Sequence, residues 1–432
     1  GLAYRTLRDA HILNVPAGRM SAYPDDPDHF LGWAAARQPG VTAASFLPRH
    51  LYGEYLEWCL EQETTGARQR SVLTTIRDRV RSVTPCTDHW SGALVHLARG
   101  ATVQANHVVL AVGNSVRPEP TGDPIRDPWS PDALESLSAR RPVVLLGTGL
   151  TAVDMVLTLE QRGFGGTVYA VSRRGLLPQP HRLAGTPPAA PPRTETVPDK
   201  DWTARSLVAA IRAEAKLAQA LGGDWRTVVD GLRPHTADLW AALPEAERAR
   251  LARHALRYWD VHRHRMAPEI AARITALQHR GRLVIAAGKV TAIDPRPHGG
   301  ANVTIRPRIP ASAPPVLIHA SAVIGCTGPN TRLADDPLFA GLFQQRAARP
   351  GPIGLGVDAD GDGRLIDTDG HPSPVLWALG PLRRGGLLET TAIPEIRGQA
   401  AALAKALTAG AASERCGSGM GLGVPAPVNS SL

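Results

Sequence analysis

The chain has 432 residues, enough for two or three domains with sizeable cores. Aromatic residues make up only 5%, and the net charge of +9 is carried almost wholly by arginine, since lysine occurs only at Lys200, Lys216, Lys289 and Lys405. The arginines are spread along the chain without a nucleic-acid-binding motif, and no apolar run reaches the roughly 20 residues of a membrane span, so neither a nucleic-acid nor a membrane partner is expected.

Four cysteines, Cys59, Cys86, Cys326 and Cys416, show no C-x-x-C spacing or pairing pattern, which predicts a soluble protein of the reducing cytoplasm. Cys326, inside an apolar run, reads as a small core residue. Nothing in the sequence specifies an oligomeric state.

The first segment runs from Gly1 to about Asp127. Near its end, "ATVQANHVVLAVGN" predicts a polar approach and a buried strand over Val108 to Val112, closed by Gly113 and Asn114. A second copy of the pattern, "VLIHASAVIGCTGPN", ends at Gly328-Pro-Asn330. Two buried strands with glycine turns, one on each side of the central motif, suggest two nucleotide-binding domains, because ligands of doubly wound folds sit at strand carboxyl ends.

The central motif is "VVLLGTGLTAVDMVLTLE". Val143 to Leu146 predict a buried parallel strand, and Gly147-Thr148-Gly149-Leu-Thr151-Ala152 fits G-x-G-x-x-G/A before a run with helical spacing. Gly147 permits the tight turn, Gly149 lets a pyrophosphate approach backbone N–H groups, and Ala152 lets the helix lie close to the strand with its positive end toward the anion. The next strand, "GTVYAVS", ends in Ser172-Arg173-Arg174, with no acid for a ribose hydroxyl. Two guanidiniums there suit a 2′-phosphate, which predicts NADPH.

A proline-rich link, "AGTPPAAPPRTETVPDK", leads into helical patterns from about Pro198 to Arg282, read as a cap inserted in the second domain. Strands return in "RLVIAAGKVTAI" and "NVTIRPR". In "HRHR", His262 and His264 are two apart and cannot share a helical face, so zinc is not expected; Arg263 or Arg265 on a phosphate or substrate carboxylate is the functional reading there. "DADGDGRLIDTDG" has calcium-loop spacing up to Leu365 but lacks the final Glu and flanking helices, so a β-hairpin with Asp-Gly turns is expected. The last segment reads as strand, loop and helix, and the tail past Glu414 has no periodicity and reads as disordered.

Taken together, "HILNVPAGRMSAYPDDPDHFLGW", "SFLPRHLYGEYL", "VVLAVGN", "VVLLGTGLTAVD", "VSRRGLLP", "GDWRTVVDGLRPHTADLW", "YWDVHRHRMAP" and "LLETTAIPEIRGQA" resemble the bacterial FAD/NAD(P)-binding proteins. Their domain type is shared with FAD-dependent urate hydroxylases and aspartate N-monooxygenases. The resemblance covers the chain to about Ala409 and implies an α/β fold of two Rossmann-like dinucleotide-binding domains with an inserted helical cap. FAD would be held by the outer segments (1–127 and 331–413) and NADPH by the middle one (128–330, helical insert about 198–282), with 414–432 as the tail. By position, Asn14, Pro16 and Gly18 would lie near the flavin, Gly113 and Asn114 would close the FAD domain, Gly380 would approach the FAD ribityl-pyrophosphate, and Glu389 and Thr390 would lie near the isoalloxazine. The family opens with its own G-x-G-x-x-G, and Gly1 falls just after that unit, so the first domain is expected to be N-terminally truncated. The implied activity is an NADPH-dependent flavin monooxygenase of a small polar metabolite; the alternatives are a truncated NADPH-binding protein without flavin catalysis and an NADPH-oxidising flavin reductase.

Overall fold

A computed structural model describes residues 2–6, 8–65, 73–86, 91–114, 124–182, 202–310, 312–328 and 332–417. The proline-rich link and residues 418–432 of the expected tail lie outside them.

Two helices open the chain, α1 (His29–Ala35) and α2 (Arg49–Thr65). Tyr52, Tyr55 and Cys59 recur on one face of α2 and meet Phe30 and Trp33 of α1 in an aromatic nest. Three antiparallel strands follow, β1 (Val80–Cys86), β2 (Gly92–Leu97) and β3 (Thr102–Ala105).

The next strand, β4 (Val108–Leu110), is two residues shorter than its apolar run predicts. The Ala111 N–H turns back to the Val109 carbonyl, and Val112 is half exposed. Apolar composition alone does not hold a residue in a sheet when the chain is about to turn.

A large sheet forms the centre, ordered from one edge as β10, β9, β8, β7, β6, β11, β5. Its strands are β5 (Ile125–Arg126), β6 (Val143–Leu146), β7 (Val168–Ser172), β8 (Leu283–Pro295), β9 (Ala301–Pro307), β10 (Val316–Ala320) and β11 (Ala322–Ile324). From β5 to β8 neighbours pair in parallel, and β8 to β10 pair antiparallel. The run "VLIHASAVIG" is therefore two strands on opposite sides of the sheet. Ser321 separates them, its N–H donating to the Pro142 carbonyl and its hydroxyl accepting the Ser138 N–H.

Helix α3 (Leu150–Gln161) covers one face of the sheet, burying eight successive residues from Ala152 to Leu159. Between β7 and β8 lie α4 (Ala204–Ala220), α5 (Trp225–Leu232), α6 (Thr236–Ala242), α7 (Glu245–His254), α8 (Leu256–Arg263) and α9 (Pro268–His279). Ile270, Ile274 and Leu277 of α9 share the core of α3 and β6, so α9 belongs to the crossover between parallel strands. Helices α4 to α8 form a separate cap with its own core around Leu207, Leu239, Trp240 and Leu243.

The last segment contributes α10 (Pro337–Gln344), β12 (Arg364–Ile366), β13 (Pro372–Ala378), α11 (Arg384–Leu387) and α12 (Ile393–Gly417). Strand β13 pairs in parallel with β4 and antiparallel with β12, joining the two ends of the chain in one small sheet. The calcium-like run is the turn into β12. Asp360 Oδ1 accepts the N–H groups of Asp362, Gly363 and Arg364, and its other oxygen pairs with Arg364. Helix α12 continues three residues past Glu414, to Gly417.

Candidate dinucleotide site

Strand β6 ends at Leu146, and the chain then turns on Gly147, whose φ of +130° favours glycine. A Cβ there would lie 2.1 Å from the Cys326 carbonyl oxygen at the end of the neighbouring β11. Gly149 is the opposite case: its φ is −80°, and nothing lies within 4 Å of where a Cβ would stand. It is the N-cap of α3 and supplies no side-chain cap. Gly149, Leu150 and Thr151 line a cavity, so the first turn of that helix faces open space, the arrangement in which a helix N-terminus suits an anion.

Thr148 and Ser172 hold the turn. The Thr148 hydroxyl donates to the Leu176 carbonyl at 2.5 Å and lies 3.0 Å from Ser172 Oγ, which accepts the Gly175 N–H. Ala152 is buried, as the close seat of α3 requires.

The turn opens into a cavity of about 650 Å³. Asn114, Gly147, Thr148, Gly149, Thr151, Ser172, Arg173, Arg174 and Glu389 line it, so residues from all three segments of the sequence meet there. Arg174 is anchored by the cap: it donates to the His254 carbonyl at 3.1 Å and lies 5.2 Å from the Tyr258 ring centroid. Lys289 and Arg257 add two cations that sequence reasoning missed. A signal for Lys289 was present, because β8 lies beside β7 with Ala287 level with Ser172, placing Lys289 just beyond the Arg173 turn.

Elsewhere the wall is built from α8 and α11. Asp260 faces Arg384 at 3.4 Å and Arg257 at 3.6 Å. Glu389 accepts from Trp259 Nε1 at 2.7 Å and lies 3.4 Å from Arg263 Nε. Arg263 in turn donates to Glu395, which also accepts from Arg233 at 2.5 Å. Burial pushes the Glu395 carboxyl up, but the hydrogen bond from Arg233 and the charges of Arg233 and Arg263 outweigh it and leave it below the usual carboxylate range. Burial also pushes His264 down, against the upward pull of Glu389, which favours its neutral form.

Arg263 and Arg265 are not ligand contacts in this arrangement. Arg263 is committed to Glu389 and Glu395, and Arg265 pairs with Asp230 at 2.8 Å while only 3% exposed. Two buried guanidiniums need carboxylates close by, and both found them inside the protein.

The remaining predicted residues lie outside the lining of this cavity. The Asn14 carbonyl accepts from His181 Nε2 at 2.9 Å, and Pro16 caps a short turn over Ala17–Arg19. Gly18 sits tight against Ala43, where a Cβ would come within 2.8 Å of the Ala43 Cβ. Gly113 has φ +69° with open space around it. Gly380, Thr390 and Gln399 close a hydrogen-bonded ring: Gly380 N–H to Gln399, Gln399 to the Thr390 hydroxyl, and that hydroxyl to the Gly380 carbonyl. Thr390 is wholly buried next to Glu389 in the chain. Among the described residues, no group of three or more His, Cys, Asp or Glu is placed to hold a metal ion, and no helix is long and apolar enough to cross a membrane.

Residues 1–115 match the sequence profile of a family described as FAD-NAD(P)-binding. No curated protein is matched by the sequence. Among solved structures, the FAD-bound cadaverine monooxygenase of desferrioxamine biosynthesis from Erwinia amylovora is similar over 94% of this chain and 85% of its own, with TM-score 0.59 and 15% identity. Ornithine hydroxylase from Pseudomonas aeruginosa, in its reduced form, is similar over 92% and 86%, with TM-score 0.57 and 15% identity. Kutzneria sp. 744 ornithine N-hydroxylase, solved with reduced FAD, NADP+ and L-ornithine, is similar over 93% and 88%, with TM-score 0.57 and 14% identity. The chain shares their α/β fold.

Proposed function

We propose that this chain is an NADPH-dependent flavoprotein monooxygenase acting on a small polar metabolite. The observation that carries the reading is the cavity at the fingerprint turn, with open space at Gly149 and with Arg173, Arg174 and Lys289 in its wall. The carboxylates that line it, Asp260 and Glu389, are already tied to Arg257, Arg384, Trp259 and Arg263. Backbone N–H groups of α3 would hold the pyrophosphate, and the three cations the 2′-phosphate.

The outer segments, 1–127 and 331–413, would hold FAD. Strands β4 and β13 end side by side, Ala378 level with Leu110, and each leads to a glycine of positive φ, Gly113 and Gly380. Adjacent parallel strands that end in glycine turns make the kind of crevice a dinucleotide occupies. When bound, NADPH supplies a hydride and FAD accepts it and passes electrons to dioxygen. The protein's part is to hold the cofactors: Asn114 and Glu389 line the cavity where the two units meet. The solved-structure neighbours whose names record FAD, NADP+ and amine substrates support the reading. The unpaired thiols of Cys59, Cys86 and Cys326 suit the cytoplasm.

The test is to mix purified protein with FAD and titrate it with NADPH or NADH, following flavin absorbance and oxygen uptake. NADPH is expected to bind more tightly than NADH and to bleach the flavin. A protein that stays colourless and leaves NADPH untouched in excess FAD overturns the proposal.

A further inference from the structure

The cap contains a second cavity, of about 730 Å³, a size that encloses a drug-sized molecule. Leu207, Ile211, Leu232, Trp240 and Leu243 line it, so it excludes water more than it binds it. Helix α4 supplies one wall through a stripe at helical spacing, Ala204, Leu207, Ile211 and Ala215.

Two features give this cavity direction. At its rim stand Arg205 and Arg212, seven residues apart and so on one side of α4, both exposed, and neither makes an ion pair or hydrogen bond to a described residue. The third lining guanidinium, Arg250, is neutralised by Glu247 at 2.7 Å. At the inner limit, Leu256, Trp259 and Leu388 line both this cavity and the dinucleotide cavity, making a shared partition. Leu388 is held at φ +59°, ψ −58°, in a γ-turn closed by the Glu389 N–H on the Leu387 carbonyl at 2.7 Å. Such a conformation is strained for leucine and persists where packing holds it, here against Leu207, Trp240 and Leu243.

We propose that the cap cavity binds an amphiphilic carboxylate, its head on Arg205 and Arg212 and its apolar body along Leu207, Ile211 and Trp240 up to the Leu388 partition. Unpaired cations at the mouth of an apolar chamber favour an anion and disfavour a cation of the same shape. This binding does not rest on the monooxygenase proposal.

Dodecanoate is the probe, titrated into the full chain by calorimetry and by the fluorescence of Trp225, Trp240 and Trp259, which all line the cavity. Saturable binding of one molecule per chain is expected. Arg205→Glu combined with Arg212→Glu, both at exposed positions, is expected to weaken it by about tenfold or more, and Ile211→Trp to weaken it by narrowing the chamber at its α4 wall. Dodecyltrimethylammonium is expected to bind more weakly than dodecanoate. The proposal is overturned if dodecanoate fails to saturate a folded protein, if the charge-reversed variant binds it equally well, or if the cation binds as tightly. Dodecanoate binding without NADPH binding sinks the monooxygenase proposal and leaves this one standing; NADPH binding without dodecanoate binding does the reverse.

Discussion

Arg49 and Asp154, 105 positions apart in the sequence, meet in a buried ion pair of 2.5 Å that joins α2 to the fingerprint helix α3. Arg49 also donates to the Ile12 carbonyl, and His11 reaches Thr158 one turn further along α3 at 2.8 Å. Burial pushes the Asp154 carboxyl up and Arg49 pulls it down, so removing the arginine strands a carboxylate in the core. Arg49→Ala is expected to cost about 3–5 kcal/mol, and the double replacement Arg49→Met with Asp154→Leu clearly less. Denaturant midpoints of the two variants decide this; equal losses would show that the pair has no special role.

The two glycines of the fingerprint are expected to fail differently. Gly147→Ala drives a Cβ into the Cys326 carbonyl and strains a backbone at φ +130°, so a loss of more than about 3 kcal/mol follows, visible in the melting temperature alone. Gly149→Ala meets open space, and its stability cost is expected to stay within about 1 kcal/mol. Its effect belongs in NADPH titration, as weaker binding by a protein that melts almost normally. A Gly149→Ala protein with unchanged NADPH affinity would count against a pyrophosphate at that turn.

Cofactor preference is expected to reside in three cations. Arg174→Ala removes a guanidinium anchored by the His254 carbonyl, and Lys289→Ala removes the ammonium on the adjoining strand. Each is expected to weaken NADPH by about 10- to 100-fold, the worth of a hydrogen bond to a charged group, while leaving NADH nearly unaffected. Parallel losses for both cofactors would place these side chains away from the 2′-phosphate.

Acid is expected to unfold the protein through its buried imidazoles. Burial pushes His181 down to about 4, and His11 and His264 are lowered for the same reason. Their folded values lie below the unfolded value of about 6.5, so the unfolded chain takes the proton first. The stability they contribute is complete above pH 6.5 and drains away as pH falls from there, for His181 down to about 4, by at most about 1.4 kcal/mol per pH unit for each group. Melting temperatures between pH 8 and 4 test this, and His181→Gln is expected to flatten the decline. An unchanged slope in that variant removes His181 from the account.

The strand β6, the turn and the buried face of α3 were legible because they are written in one continuous stretch, Val143 to Gln161, and so was the α/β class. What joins the segments was not. The Arg263 to Glu389 contact spans elements that no local period relates, and an arginine-rich stretch reads the same whether its cations meet ligands or buried carboxylates. The separation of β10 from β11 was silent for a different reason: Ser321 between them is satisfied by Pro142 and Ser138, far away in sequence. The partition at Leu388 carried no signal, since its backbone is imposed by neighbours rather than by its own preference.

The pairing of β4 with β13 also bears on how the chain is made. Strand β4 is made before the large sheet and the cap, and its partner β13 only after them. The contact between Arg397 and the Ser21 carbonyl, 376 positions apart, likewise joins an early segment to a late one. Pairing of this kind waits on the whole intervening chain, and non-local contacts slow folding.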